Sequence, residues 1–107
     1  MIDRLPLPIE LPYDALAEFC RRWKITKMEV FGSILRDDFG SESDVDFLVT
    51  FDPEMKLTLL NLVQAEDELS RVMGRRVDLV DRLGIEQSEN WIRRKTILGS
   101  AKTIYVG

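Results

Sequence analysis

The chain switches between two hydrophobic periods, and each switch marks an element. From Tyr13 on, Leu16, Phe19, Cys20 and Trp23 recur at three- and four-residue intervals, which predicts an amphipathic helix with Asp14 near its cap. Residues 25–31 are β-prone, with Lys27 and Glu29 alternating imperfectly with Met28 and Val30, as in a strand with one face partly covered. Gly32-Ser33 ends that run, and 34–39 reads as a short helix. A loop holding Gly40, Ser41 and Ser43 leads to Asp44-Val45-Asp46, which continues into the apolar strand ending at Phe51. Asp52-Pro53 marks a turn.

Residues 57–73 predict the longest helix, with Leu59, Leu60, Val63, Leu69, Val72 and Met73 as its apolar stripe. Gln64, Glu66, Asp67, Glu68 and Arg71 fall on its wet face, and Gly74 is placed to stop it. A third strand follows over 76–81, then a helix over 85–99 around Trp91, Ile92 and Ile97, then a closing strand over 102–106. Pro6, Pro8 and Pro12 make 1–12 an extended, loosely docked arm. The fold class expected is α/β, a small mixed sheet flanked by helices, in a single domain over 1–107.

The candidate chemistry sits where the first two strands meet. A helix starting after Gly32-Ser33 would point its free N–H groups back toward the glycine, a place for a phosphate. Residues two apart in a strand share a face, so Asp44 and Asp46 project side by side. Paired carboxylates repel unless a cation lies between them, and Mg²⁺ takes oxygen ligands from carboxylates and substrate phosphates. A phosphate cradle and a metal site thus converge on one segment, and the chemistry suggested is nucleotide transfer from a nucleoside triphosphate. Asp78, inside the third apolar run, needs a partner. A metal shared with Asp44 and Asp46 is one, and a salt bridge to Arg75 or Arg76 is the other. Asp81 reads as a turn or cap residue, Asp37, Asp38 and Glu42 as solvated, Trp23 as core, and Tyr105 as edge-strand packing.

Composition narrows the alternatives. The chain has 107 residues, no histidine and one cysteine. Histidine-based triads and histidine zinc sites are therefore excluded. Cys20 excludes an internal disulfide, fits a reducing cytoplasm and reads as a small buried apolar residue. A formal net charge of −4 argues against long nucleic acid as a partner, and no apolar stretch approaches the ~20 residues of a membrane span. Nor does the N-terminus resemble a signal peptide.

Gly32-Ser33, ten intervening residues, then Asp44-x-Asp46 resembles the signature of the DNA polymerase beta-like nucleotidyltransferase superfamily. The short chain and the stretch from Asn90-Trp91-Ile92-Arg93-Arg94 to Ile104-Tyr105 look like the minimal nucleotidyltransferases, the MNT-type antitoxins paired with HEPN toxins. The resemblance implies the polymerase beta-like fold, with Asp44, Asp46 and Asp78 as catalytic metal ligands for Mg²⁺ or Mn²⁺ and Gly32 and Ser33 binding the nucleotide. Where many members run Arg-Ala-Arg-Gly after the Gly-Ser pair, this chain has Ile34-Leu35-Arg36-Asp37. Arg36 is retained and is assigned to the nucleotide; Asp37 adds negative charge near the cradle. The resemblance further implies transfer of AMP from ATP to a tyrosine hydroxyl of a HEPN toxin in a hetero-oligomer. An antitoxin acting by binding alone, or transfer to a small molecule, are the alternatives.

Overall fold

The computed structural model describes residues 7–107. Helix α1 (Tyr13–Arg22) places Leu16, Phe19 and Cys20 in the interior, each at most 1% exposed. Burial of each such apolar side chain contributes roughly 1.5–3 kcal/mol. Burial also pushes the Cys20 thiol up to about 12, so it stays protonated and acts as an apolar filler. Trp23, just past the helix, packs partly buried against the core and donates its Nε1–H to Glu68 at 2.6 Å.

Four strands, β1 (Ile25–Phe31), β2 (Val45–Phe51), β3 (Val77–Asp81) and β4 (Lys102–Val106), form one sheet in the order β3-β2-β1-β4. The β1–β2 and β1–β4 pairs are antiparallel and β2–β3 is parallel, which is the mixed sheet expected. The parallel pair needs a crossover, supplied by α2 (Leu59–Met73). Strand alternation then sorts the core in two. Met28, Val30, Phe47, Val49, Val77 and Leu79 pack with α1 and α2. Phe31 and Leu48 point the other way, to Ile85 of α3 (Arg82–Glu86) and Ile97 of α4 (Trp91–Ser100).

Several expectations are corrected here. The predicted helix over 34–39 is one 3-10 turn, Gly32–Leu35, after which Arg36 is already extended. The α2 stripe holds only in its second half: Leu69, Val72 and Met73 pack on the core as expected, whereas Leu59, Leu60 and Val63 are 79%, 66% and 57% exposed. Ala65 and Leu62 meet the core in their place. The small Ala65 carried little hydrophobic signal, which is why the exposed leucines dominated the pattern. Glu66 and Glu68 are not simply wet: Glu66 accepts the Leu79 N–H of edge strand β3 at 3.0 Å, and Glu68 pairs with Arg22 at 2.6 Å. The helix expected over 85–99 is two helices, because the Asn90 side chain accepts the Arg93 N–H at 3.1 Å and caps α4. Trp91 and Ile92 at its start are 60% and 61% exposed rather than core.

Other expectations hold. Gly74 closes α2 at φ +68, Asp81 caps α3 by accepting the Leu83 N–H at 3.2 Å, and Tyr105 packs into the core on edge strand β4. The loose docking expected for the arm is corrected over its described part, where Leu11 is 3% exposed and Leu7 and Ile9 pack against the core; residues 1–6 lie outside the described residues.

Glu29 was not singled out by the pattern, yet it is the buried charged residue of β1, 4% exposed and ion-paired with Arg82. Without Arg82, Glu29 keeps only the partly exposed Lys27, whose Nζ lies 3.9 Å away, so its buried charge is poorly compensated. Arg82→Met is therefore expected to cost about 2–3 kcal/mol in a urea melt, with most of the loss restored in the Glu29→Gln, Arg82→Met double variant.

Candidate active site

The Gly-Ser turn and the acidic strand are fitted to each other. Gly32 has φ +74, and a Cβ built on it would lie 2.2 Å from the Oδ2 of Asp46. Glycine is thus required twice, for its backbone angle and for the space that Asp46 fills. The Ser33 hydroxyl donates to the Asp44 carbonyl at 2.9 Å, tying the turn to the residue where β2 begins. Sequence reasoning assigned both residues to phosphate. It did not foresee that they also hold the acidic pair in place.

Asp78 reaches the site by register. Asp46 and Asp78 are Cα partners on the parallel strands β2 and β3, so both carboxylates leave the same face of the sheet on strands about 4.8 Å apart. The reason given for Asp78 from sequence is corrected: it is exposed, not buried, because the site face of β3 is open there. The salt bridge considered for it is not formed either. Arg76 Nε lies 3.8 Å from Asp44 instead, and Arg75 turns toward the loop. Arg36 is exposed and pairs with Asp38 at 3.4 Å. Asp37, Asp38 and Glu42 are exposed, as expected.

Burial first, then the Asp78 carboxylate, then that of Asp44, raise the Asp46 pKa above the ordinary aspartate value; Arg36 and the Ser33 backbone N–H oppose them more weakly. Three carboxylates in mutual repulsion, presenting only hard oxygen donors, fit a divalent cation of the Mg²⁺ type. Among the described residues, however, no three acidic side chains already stand in metal-holding geometry. An ion would have to draw them together.

The raised pKa has a consequence for stability. The folded chain holds a proton on Asp46 over a window from the ordinary aspartate value upward, where the unfolded chain does not, so Asp46 lowers stability as pH rises through that window and continues to do so at neutral pH. Asp46→Asn is expected to raise the melting temperature in metal-free buffer at about pH 7 and to lose that advantage toward about pH 4. Melting curves across that range check it.

A groove of about 700 Å³ lies elsewhere, at the other end of β2, lined by Thr50, Met55, Leu57, Arg82 and Leu83 among others. It contains none of the candidate site residues. The chemistry of the acidic residues, not the size of a cavity, locates the candidate site. Nearer the turn, a shallower recess of about 350 Å³ is lined by Leu7, Pro8, Ile34, Leu35, Arg36 and Asp37.

The sequence model of the nucleotidyltransferase domain family matches residues 13–104. The protein adenylyltransferase MntA of Thermococcus cleftensis is 40% identical over 63 residues, 59% of this chain and 62% of that relative. The match thus spans less than two thirds of the relative's length. A solved structure provisionally assigned as a minimal nucleotidyltransferase is 30% identical, with a TM-score of 0.63, covering 84% of this chain and 86% of that one. The tri-AMPylated HEPN toxin of Shewanella oneidensis in complex with its MNT antitoxin matches with a TM-score of 0.61 at 18% identity, over 89% of this chain and 70% of that one. At that identity the likeness is one of fold. With the family's sequence model running from α1 into β4, this chain belongs to the nucleotidyltransferase domain family.

Proposed function

We propose that the protein is a metal-dependent protein adenylyltransferase, an antitoxin that transfers AMP from ATP to a tyrosine hydroxyl of a HEPN-type toxin. The observation that carries this reading is the pairing of Asp46 with Asp78 across β2 and β3, with Asp46 seated against the Gly32-Ser33 turn. Family membership and the likeness to a protein adenylyltransferase support it. So does the likeness to an MNT antitoxin bound to an AMPylated toxin.

Asp44, Asp46 and Asp78 would hold Mg²⁺ or Mn²⁺, which when bound supplies positive charge to the attacking and leaving oxygens of an in-line displacement. Gly32 would let the triphosphate approach the turn backbone, the Ser33 N–H and hydroxyl, which without nucleotide bond Asp46 and the Asp44 carbonyl, would exchange those partners for a β or γ phosphate oxygen, and Arg36 adds charge from the exposed side of the turn. The tyrosine oxygen forms its bond to the α-phosphorus as the bond to the bridging oxygen breaks and pyrophosphate leaves. A tyrosine hydroxyl of pKa about 10 is mostly protonated near neutral pH, and the Asp78 carboxylate, exposed beside Asp46, orients it and takes up its proton.

A second reading, an antitoxin that acts by binding alone, is favoured by one observation: Leu59, Leu60 and Val63 on α2, and Trp91 and Ile92 on α4 across the sheet, are all more than half exposed, two apolar groups of the kind a protein partner covers. Calorimetry separates the two. ATP is expected to bind at least about tenfold more tightly with Mg²⁺ than in excess chelator, since the ion screens three carboxylates from the incoming phosphates. Equal affinity in both buffers contradicts the metal-bridged site.

A further inference from the structure

Between the Gly-Ser turn and β2 runs the loop 36–44, whose internal bonds are local. Ser43 N–H donates to the Gly40 carbonyl at 3.1 Å, and Gly40 N–H donates to the Ser43 hydroxyl at 3.0 Å. These bonds shape the loop but do not fix it to the domain. At its end Ser33 holds the Asp44 carbonyl, in its middle Phe39 packs partly buried against the core, and Arg75 grips that middle from the α2–β3 turn. Its guanidinium carbon stands 4.9 Å above the ring of Phe39, and its Nη2 donates to the Ser41 carbonyl at 3.3 Å. Its Nη1 is buried without a hydrogen-bond partner, an arrangement tolerated where a cation lies against the electron-rich face of an aromatic ring.

Arg75 is itself well anchored. It follows the left-handed Gly74, its N–H bonds to the Ser70 carbonyl at the end of α2, and it stands three residues before Asp78. The next residue, Arg76, accepts the Val45 N–H at 3.2 Å and approaches Asp44. One side chain therefore connects the loop that ends in Asp44 with the start of the strand delivering Asp78.

We propose that Arg75 is a positioning residue: by clamping Phe39 and Ser41 it fixes where Asp44 stands relative to Asp46 and Asp78, which the strand register already pairs, and so sets the affinity of the site for a divalent cation. This rests on the metal-dependent reading above. Groups that hydrogen-bond a metal ligand change affinity by about 10–100-fold when removed; Arg75 acts one contact further out, through Phe39 and Ser41, so the low end of that range, about tenfold, is expected. Arg75 is more than a loop staple only if that effect appears.

The experiment uses the full chain with Arg75→Met, which keeps the aliphatic length and removes the charge and donors, and Arg75→Lys, which keeps the charge but not the planar fork. Mn²⁺ alone is the titrant, and amide hydrogen exchange reports the loop. Arg75→Met is expected to speed exchange at Ser43 by about tenfold or more and to weaken Mn²⁺ binding by about tenfold, leaving the Val30 and Phe47 amides unchanged. Arg75→Lys is expected to fall between. Unchanged exchange at Ser43 overturns the clamp. Faster exchange with unchanged Mn²⁺ affinity overturns the positioning role while leaving the function proposed above intact. A wild-type chain that takes up no Mn²⁺ overturns the metal-dependent reading and, with it, this one.

Discussion

Gly32→Ala is expected to reduce nucleotidyl transfer by about a hundredfold or more while lowering stability only moderately. An alanine at φ +74 costs about 1–2 kcal/mol in backbone strain, which for a chain of this size lowers the melting temperature by about 5 °C or somewhat more. The larger consequence is local. The new Cβ would stand 2.2 Å from the Asp46 Oδ2, and because that oxygen ends a rotatable side chain, the carboxylate moves rather than the backbone. An ångström of misplacement at a reacting centre is worth about two orders of magnitude in rate. A double-mutant cycle with Asp46→Ala separates the two effects: the strain persists in both backgrounds, whereas the steric part disappears once Asp46 is truncated. If Gly32→Ala costs as much stability in both backgrounds and transfer is unimpaired in the single variant, the contact with Asp46 has no functional weight.

Asp78→Asn is expected to produce the cleanest separation of function from fold. Asp78 is exposed on β3, and surface substitutions of this kind change stability by less than about 0.5 kcal/mol. Its carboxylate nevertheless pairs in register with Asp46 and is assigned both a share of the metal and the proton of the attacking hydroxyl. Loss of such a group typically lowers rate by about 10²–10⁴-fold. Asparagine keeps the shape but neither the charge nor the basicity. Transfer should fall by at least two orders of magnitude with the melting temperature in metal-free buffer unchanged or slightly raised, since one repulsion on Asp46 is relieved. Urea melts and a radiolabelled-AMP transfer assay read the two quantities.

What the chain disclosed in advance follows from how local each signal was. The strands were legible because β1 and β2 carry their own alternation and end at Gly32 and Asp52, and the spacing of Gly32-Ser33 to Asp44 and Asp46 is a property of one short segment. Asp78 was legible as a candidate, and the register does set it beside Asp46, but the reason differs: its sequence neighbours Val77 and Leu79 are buried, whereas Asp78 lies on the opposite, open face of the same strand. Leu59, Leu60 and Val63 were misplaced because helix periodicity gives a stripe without saying which stripe meets the sheet. Glu29 with Arg82, and Arg75 with Phe39, were invisible because each contact joins residues more than thirty apart, and only the register of the sheet brings them together.

The two readings rest on different residues. The acidic cluster around Asp46 bears on transfer, whereas the exposed Leu59, Leu60, Val63, Trp91 and Ile92 would bear on binding whether or not chemistry follows. Neutralisation of a toxin alone therefore cannot decide the function; a covalent product can. The most direct measurement is the mass of a HEPN-type toxin, the proposed partner, after incubation with the purified chain, ATP and Mg²⁺. A gain of one or more AMP units, suppressed by Asp78→Asn while the complex still forms, is the predicted result. A toxin neutralised at unchanged mass, and neutralised equally well by the Asp44→Asn, Asp46→Asn double variant, would contradict it.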